Sequence, residues 1–220
     1  MNPEELAKKY NLDLKKLAQE QEKLAKQLAI KDEIDFSLID KIGAVDTAFF
    51  QNKIISVCVV LNPEMEMIAQ GYFSDKIRFP YIRDFRAYRE LPSMIEAFNK
   101  LEEKPDVIFV PGDGISHPRL GIASHFSISV GVPTIGISNS LPAGEVKGEY
   151  VFFNGKKTAK ILQAKPGSNP MYVSPGNNIS LNTAYELSKK LIKLPHKLPE
   201  PLHAAHKYVR EIRKEIFENQ

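Results

Sequence analysis

The sequence predicts an α/β protein built on one mixed sheet flanked by helices. Three observations carry that expectation. Residues 41–73 hold three strand-like runs joined by short links, the pattern of an antiparallel meander. Residues 107–138 read strand, helix, strand, a βαβ unit that demands parallel pairing and a right-handed crossover. Helical periodicity brackets these runs, over residues 12–30 and again after 180.

With 220 residues, 43% of them hydrophobic, the chain can bury a real core in one large domain with short appendages. Its net charge of +3 permits a nucleic-acid partner without arguing for one. Cys58 is the single cysteine, which excludes an internal disulfide or a cysteine-based zinc site; lying in the apolar run 54–61, it reads as a buried hydrophobe. No apolar run approaches the roughly 18 residues of a membrane span, and MNPEELAKKY lacks a signal peptide's apolar core. The expectation is a soluble, cytoplasmic protein with no membrane partner.

Residues 12–30 place Leu14, Leu17, Ala18, Gln21, Leu24 and Leu28 on one face of a helix that packs on the domain behind it. The meander follows as Ile42 to Phe50, Lys53 to Leu61 and Glu66 to Phe73. Asp46 stands inside the first run. A carboxylate in an apolar strand is costly unless it is paired, hydrogen-bonded or metal-bound, so Asp46 is a catalytic candidate; an Asp satisfied by backbone N–H groups is the alternative. In RFPYIRDFRAYRE, Pro80 keeps Phe79 extended, and Tyr81 is ringed in sequence by Arg78, Arg83, Arg86 and Arg89. That pairing suits stacking on a base while guanidinium groups hold phosphates; equally, a loop tyrosine can simply cover the core. Pro92 suits the first turn of a helix running to about Glu103, which puts Glu90 at or just before a helix N-terminus, where the dipole favours a carboxylate.

In DVIFVPGDGISHPRLG, a short buried strand empties into Gly112-Asp113-Gly114. Open α/β sheets bind ligands at the carboxyl ends of strands, and glycine lets the backbone approach closely. A plain βα turn has the same glycines, but Asp113, Ser116, His117 and Arg119 crowd behind it and argue for a site. Leu120 to Val130 then reads as helix and Val132 to Ser138 as strand. Tyr150 to Phe153 and Lys157 to Leu162 flank Asn154-Gly155 as a hairpin, and Pro170 to Ser174 is a last strand. Ser180 caps a helix to Ile192, and KLPHKLPEP leads to a closing helix from about Leu202 to Phe217. On that helix His203 and His206 share a face; with no third ligand visible they read as surface residues. The expected organisation is an N-terminal helical segment (1–40), a main domain (41–199) and a C-terminal helix (200–220).

The segments GAVDTAF (43–49), PYIRDFRAYRE (80–90), PDVIFVPGDGISHPRLGIASHF (105–126), VPTIGIS (132–138) and NPMYVSPGNNIS (169–180) resemble, in order and spacing, the endonuclease V family over residues 42–198. The resemblance implies a ribonuclease-H-like fold, and cleavage of DNA or RNA near hypoxanthine, the deaminated form of adenine, using magnesium with manganese as its substitute. It also implies a part in the repair of deaminated strands. By position, Asp46 falls on the family's first metal-binding aspartate and Glu90 on its metal-binding glutamate. Pro80 and Tyr81 fall on the first half of the wedge that separates the strands at the lesion, with Arg83 where a second proline is expected. Gly112, Gly114 and His117 match the loop that holds the flipped base.

Four polar positions depart from the pattern. Pro111 replaces the second metal aspartate, Asn139 a catalytic lysine, Asn177 a histidine after Pro-Gly, and Asn182 an acidic residue. Proline offers neither carboxylate nor N–H, and asparagine supplies no charge or proton chemistry. Asp113, two residues past Pro111, either replaces the missing carboxylate, so that Asp46, Glu90 and Asp113 serve as catalytic residues holding one magnesium, or lines the mouth of the loop. Two functions follow. One is a weakly cleaving endonuclease V-like protein that recognises inosine-containing DNA or RNA. The other is a catalytically inactive homologue that keeps the pocket as a nucleic-acid or nucleobase binding protein.

Overall fold

The N-terminal helical stretch is two helices, α1 (Pro3–Lys9) and α2 (Leu14–Ala25), in a computed structural model that describes residues 2–218, with side chains through 216. Residues 1, 219 and 220 of the expected terminal segments lie outside that range. The single helix expected over 12–30 is therefore shorter. Asn11 adopts a left-handed φ of 52°, which ends α1's path, and Asp13 caps α2 by accepting from the Lys16 N–H.

The meander forms as expected, with β1 (Ile42–Phe50), β2 (Lys53–Leu61) and β3 (Met67–Lys76) paired antiparallel. Almost all of β2 is buried because both its faces are covered, which accounts for its unbroken apolar run. Helix α3 (Arg86–Asn99) leads to β4 (Val107–Pro111), then α4 (Ile122–Val130) and β5 (Thr134–Ser138), with β4 and β5 parallel. A short β6 (Glu145–Lys147), not anticipated, pairs with β7 (Tyr150–Phe153), followed by β8 (Lys156–Leu162), β9 (Met171–Asn177), α5 (Leu181–Lys190) and α6 (Glu200–Glu218). The nine strands make one sheet in the order β3-β2-β1-β4-β5-β9-β8-β7-β6, mixed because β1, β4 and β5 run parallel.

Alternation along the strands divides the core in two. Ile42, Ala44, Val57, Val59, Val107 and Phe109 face α5 and α6, while Val45, Cys58, Val60, Ile108 and Val110 face α3 and α4. Cys58 is buried as expected.

One expected boundary is corrected with consequences for the site. The helix expected to open at Pro92 begins at Arg86 and runs through that proline, so Glu90 is an interior helical residue. Pro92 forfeits the hydrogen bond to the Tyr88 carbonyl, a cost of about 3 kcal/mol. Burial of Ala87, Leu91, Met94, Ala97 and Phe98 along one stripe outweighs it, as tertiary packing commonly does. Among the described residues no helix is long and apolar enough to cross a membrane.

Candidate functional site

The loop after β4 is fixed in large part by its backbone. Gly112 N–H donates to the Ile137 carbonyl at 2.8 Å, Ile115 N–H to the Pro175 carbonyl at 3.0 Å, and Ala123 N–H to the Asp113 carbonyl at 3.1 Å. The loop therefore lies across the ends of β5 and β9. Gly112 takes a φ of 137°, open to glycine alone, and a Cβ at Gly114 would overlap the Pro175 carbonyl. Close approach to β9 thus requires glycine at 114.

This loop forms one wall of an open cleft of about 620 Å³, within the range of ligand sites. Tyr81, Arg83 and Arg86 line the facing wall, with Gly112, Asp113, His117 and Ser138 opposite. Tyr81 is 60% exposed at the lip, and Pro80, buried behind it, does not line the cleft. His117 Nδ1 accepts from the N–H groups of Arg119 and Leu120, both at 3.1 Å, so Nε2 carries the proton of the neutral ring. Burial lowers the His117 pKa to about 4, with the Arg119 and Arg83 charges adding to the effect and Asp84 opposing it. Burial raises the pKa of Asp113, against the pull of the Ser138 hydroxyl and the Arg86 and Arg83 guanidinium groups. Its Oδ1 is buried with no hydrogen-bond partner.

Of the four arginines expected to ring Tyr81, only Arg83 and Arg86 share its cleft. Arg78 pairs with Asp75, and Arg89 donates to the Phe79 carbonyl and lies over the Phe49 ring.

Asp46 and Glu90 do not line this cleft and are engaged separately. Asp46 belongs to the side of β1 that faces α6: Oδ1 accepts from the Thr47 N–H at 2.8 Å, and Oδ2 lies 2.9 Å from His206 Nδ1. His206 is a surface residue as expected, and it also reaches Asp46 across 160 positions of sequence, a contact the sequence did not show. His203 instead stacks on His196, with ring centroids 3.6 Å apart. Glu90, 2% exposed, is gripped by Arg86 in a bidentate pair, Nε to Oε1 at 2.6 Å and Nη2 to Oε2 at 2.8 Å. A chain of hydroxyls, Thr47 to Ser56 at 2.9 Å and Ser56 to Ser93 at 2.6 Å, ends on the Glu90 carbonyl at 3.2 Å and ties β1 to α3.

Magnesium takes near-octahedral oxygen ligands. Among the described residues no three His, Cys, Asp or Glu side chains gather to hold a metal ion. Both Glu90 oxygens are spent on a guanidinium, both Asp46 oxygens have partners, and Pro111 contributes none. As arranged, these residues do not fit a magnesium centre. The other altered positions have structural lives of their own. Asn177 is buried and its Oδ1 accepts from the Ala29 N–H at 2.8 Å, pinning the segment after α2 to the end of β9. Asn139 and Asn182 are exposed.

Residues 22–207 match the family profile described as Endonuclease V. Endonuclease V of Thermosipho melanesiensis is 37% identical over 189 residues, covering 82% of this chain and 83% of that protein. The crystal structure of a Bacillus subtilis endonuclease V superposes with a TM-score of 0.86 at 26% identity, covering 94% of this chain and 95% of that one. A Ciona intestinalis endonuclease V, solved with a 24-mer DNA containing an inosine followed by a ribo-adenosine, gives a TM-score of 0.82 at 26% identity over 92% and 98% of the two chains. The ribonuclease-H-like mixed sheet is shared with both of these solved structures.

Proposed function

The chain belongs to the endonuclease V family, and on that premise we propose that it binds inosine-containing DNA or RNA in the cleft between Tyr81 and the Gly112–His117 loop, and cleaves such strands weakly. The observation that carries the reading is the pairing, across one cleft, of an exposed tyrosine with a half-buried histidine held neutral. Hypoxanthine presents O6 and N7 acceptors, and His117 Nε2–H is a donor with no charge to repel or over-attract the base. Tyr81 offers its face for stacking. The Ciona relative's complex with an inosine-containing DNA supports the choice of ligand.

Weak cleavage follows from the carboxylate end. Asp46, Glu90 and Asp113 are the catalytic candidates, yet Asp46 and Glu90 are each engaged by a cationic or imidazole partner, and the lysine and histidine expected at 139 and 177 are asparagines. Lost general acid–base groups ordinarily cost about 10²–10⁴-fold each. The test is to mix pure protein with a labelled inosine strand and a matched adenosine strand, with magnesium or with manganese, following both anisotropy and product. Tighter binding of the inosine strand with little product is expected. Equal affinities overturn base recognition, and rapid turnover overturns the impairment.

A further inference from the structure

We propose that Arg86 is the resident cation of this site, holding Glu90 with one edge of its guanidinium and offering the other to a strand phosphate, so that strand binding needs no divalent metal. The proposal rests on the reading that the cleft takes a nucleic-acid strand.

Three observations lead to it. First, the Arg86–Glu90 pair is two-pronged and close, and Glu90 is buried, so its charge is already balanced by a side chain that cannot be deprotonated. A metal ion would have to displace that guanidinium or sit beside a like charge. Second, Nη1, the nitrogen not used on Glu90, points at the pocket loop: a Cβ built at Gly112 would lie 2.9 Å from it. Arg86 lines the same cleft as Tyr81 and His117, with Arg83 beside it, so a strand held there would lie within reach of the guanidinium. Third, the replacement is internally consistent. Where the resemblance expects a second metal carboxylate this chain has Pro111, and one turn of helix before Glu90 it has an arginine whose i, i+4 spacing presents it to that glutamate. One acid is gone, and the charge of a second is answered from within the chain.

A cation fixed by covalent attachment differs from a bound ion. It cannot be removed by a chelator, and it donates hydrogen bonds in a plane, a geometry suited to phosphate oxygens. It also activates no water. Phosphate contacts position a strand without reading its sequence, so Arg86 contributes equally to inosine and adenosine strands, and preference between them comes from the base pocket.

Strand anisotropy and manganese binding, the latter by loss of the free-ion paramagnetic resonance signal, test this on the full chain. In chelator, the parent protein should bind an inosine strand within about twofold of its affinity in magnesium. Arg86→Met should weaken inosine and adenosine strands alike, by about tenfold, and lower the salt slope by about one. Arg86→Lys should recover part of the loss. If Arg86→Met does not fold, Arg86→Met/Glu90→Gln, which removes both charges, takes its place. Without any strand, the parent should leave manganese free. Magnesium-dependent affinity, manganese binding that Glu90→Gln abolishes, or unchanged affinity in the Arg86 variants would each overturn the proposal. Equal parent affinity for the two strands would instead overturn base recognition alone, and binding of neither would overturn both.

Discussion

The cleft and the carboxylate end lie beside one another and are built on different principles. The loop after β4 keeps its shape through main-chain hydrogen bonds to β5 and β9 and through glycines that leave no room for a side chain. The carboxylate end is shaped by charged side chains, each bound to a partner that a single substitution can supply or remove: Arg86 for Glu90, His206 for Asp46. A pocket written in backbone tolerates change around it. Chemistry written in side chains can be rewritten one residue at a time.

The largest expected effect tests whether the carboxylate end can be rewritten back. Pro111→Asp, Asn139→Lys and Asn177→His, combined with Arg86→Leu to release Glu90, should raise initial cleavage rates on an inosine strand by about 10²–10⁴-fold or more, with a smaller gain if Arg86 is kept. Loss of the Ala29 bond at position 177 should cost only about 1 kcal/mol of stability.

Gly114→Ala attacks the other region. With Pro175 main chain in the way, overpacking should remove roughly 3 kcal/mol or more of stability in denaturant titration and take strand binding with it. Binding that survives intact would mean the pocket is not backbone-defined.

Acid should separate the regions next. His117 and His125 both have pKa values lowered to about 4 by burial, against the ordinary 6.5. Between those values the unfolded chain binds more protons than the folded one, so stability is full above about pH 6.5 and falls as pH drops towards 4, by up to roughly 3 kcal/mol for each histidine. Asp113, raised by burial, opposes part of this loss as pH falls through its own range. Chemical denaturation across this window should show the slope, and His125→Phe should reduce it.

Smallest is the effect of Tyr81→Ala, which should weaken inosine-strand binding by about 1–3 kcal/mol and leave stability nearly unchanged, since the ring is exposed. Unchanged affinity would assign the tyrosine to covering the surface.

Legibility in the sequence follows the same division. The bounds of β1 and β2 and the βαβ unit were readable because apolar runs and turn residues are local signals. Asp46, Tyr81 and His117 stand out in the sequence by type and position, and the last two line one cleft. The Asp46–His206 contact was not readable, because 160 residues separate the pair and only the fold of α6 over β1 joins them. Glu90's setting was misjudged because a proline signalled a helix start while packing carried the helix through it. The Arg86–Glu90 pair has a local signal, its i, i+4 spacing, but in sequence the same arginine also stands close to Tyr81, and only the fold decides between the two partners.

Gln21 on α2 is 1% exposed, and its one amide serves two loops: Nε2 donates to the Asp84 carbonyl at 3.0 Å, and Oε1 accepts from Arg119 Nε at 2.8 Å. Asp84 sits on the wall that carries Tyr81, and Arg119 closes the loop that carries His117. The width of the cleft is therefore gauged by a helix that contributes no strand to the sheet. Gln21→Ala would remove both of these bonds and leave the jaws joined by the longer contact of Arg119 Nη2 to the Asp84 carbonyl, at 3.4 Å, so the cleft would loosen while the sheet and its helices stand.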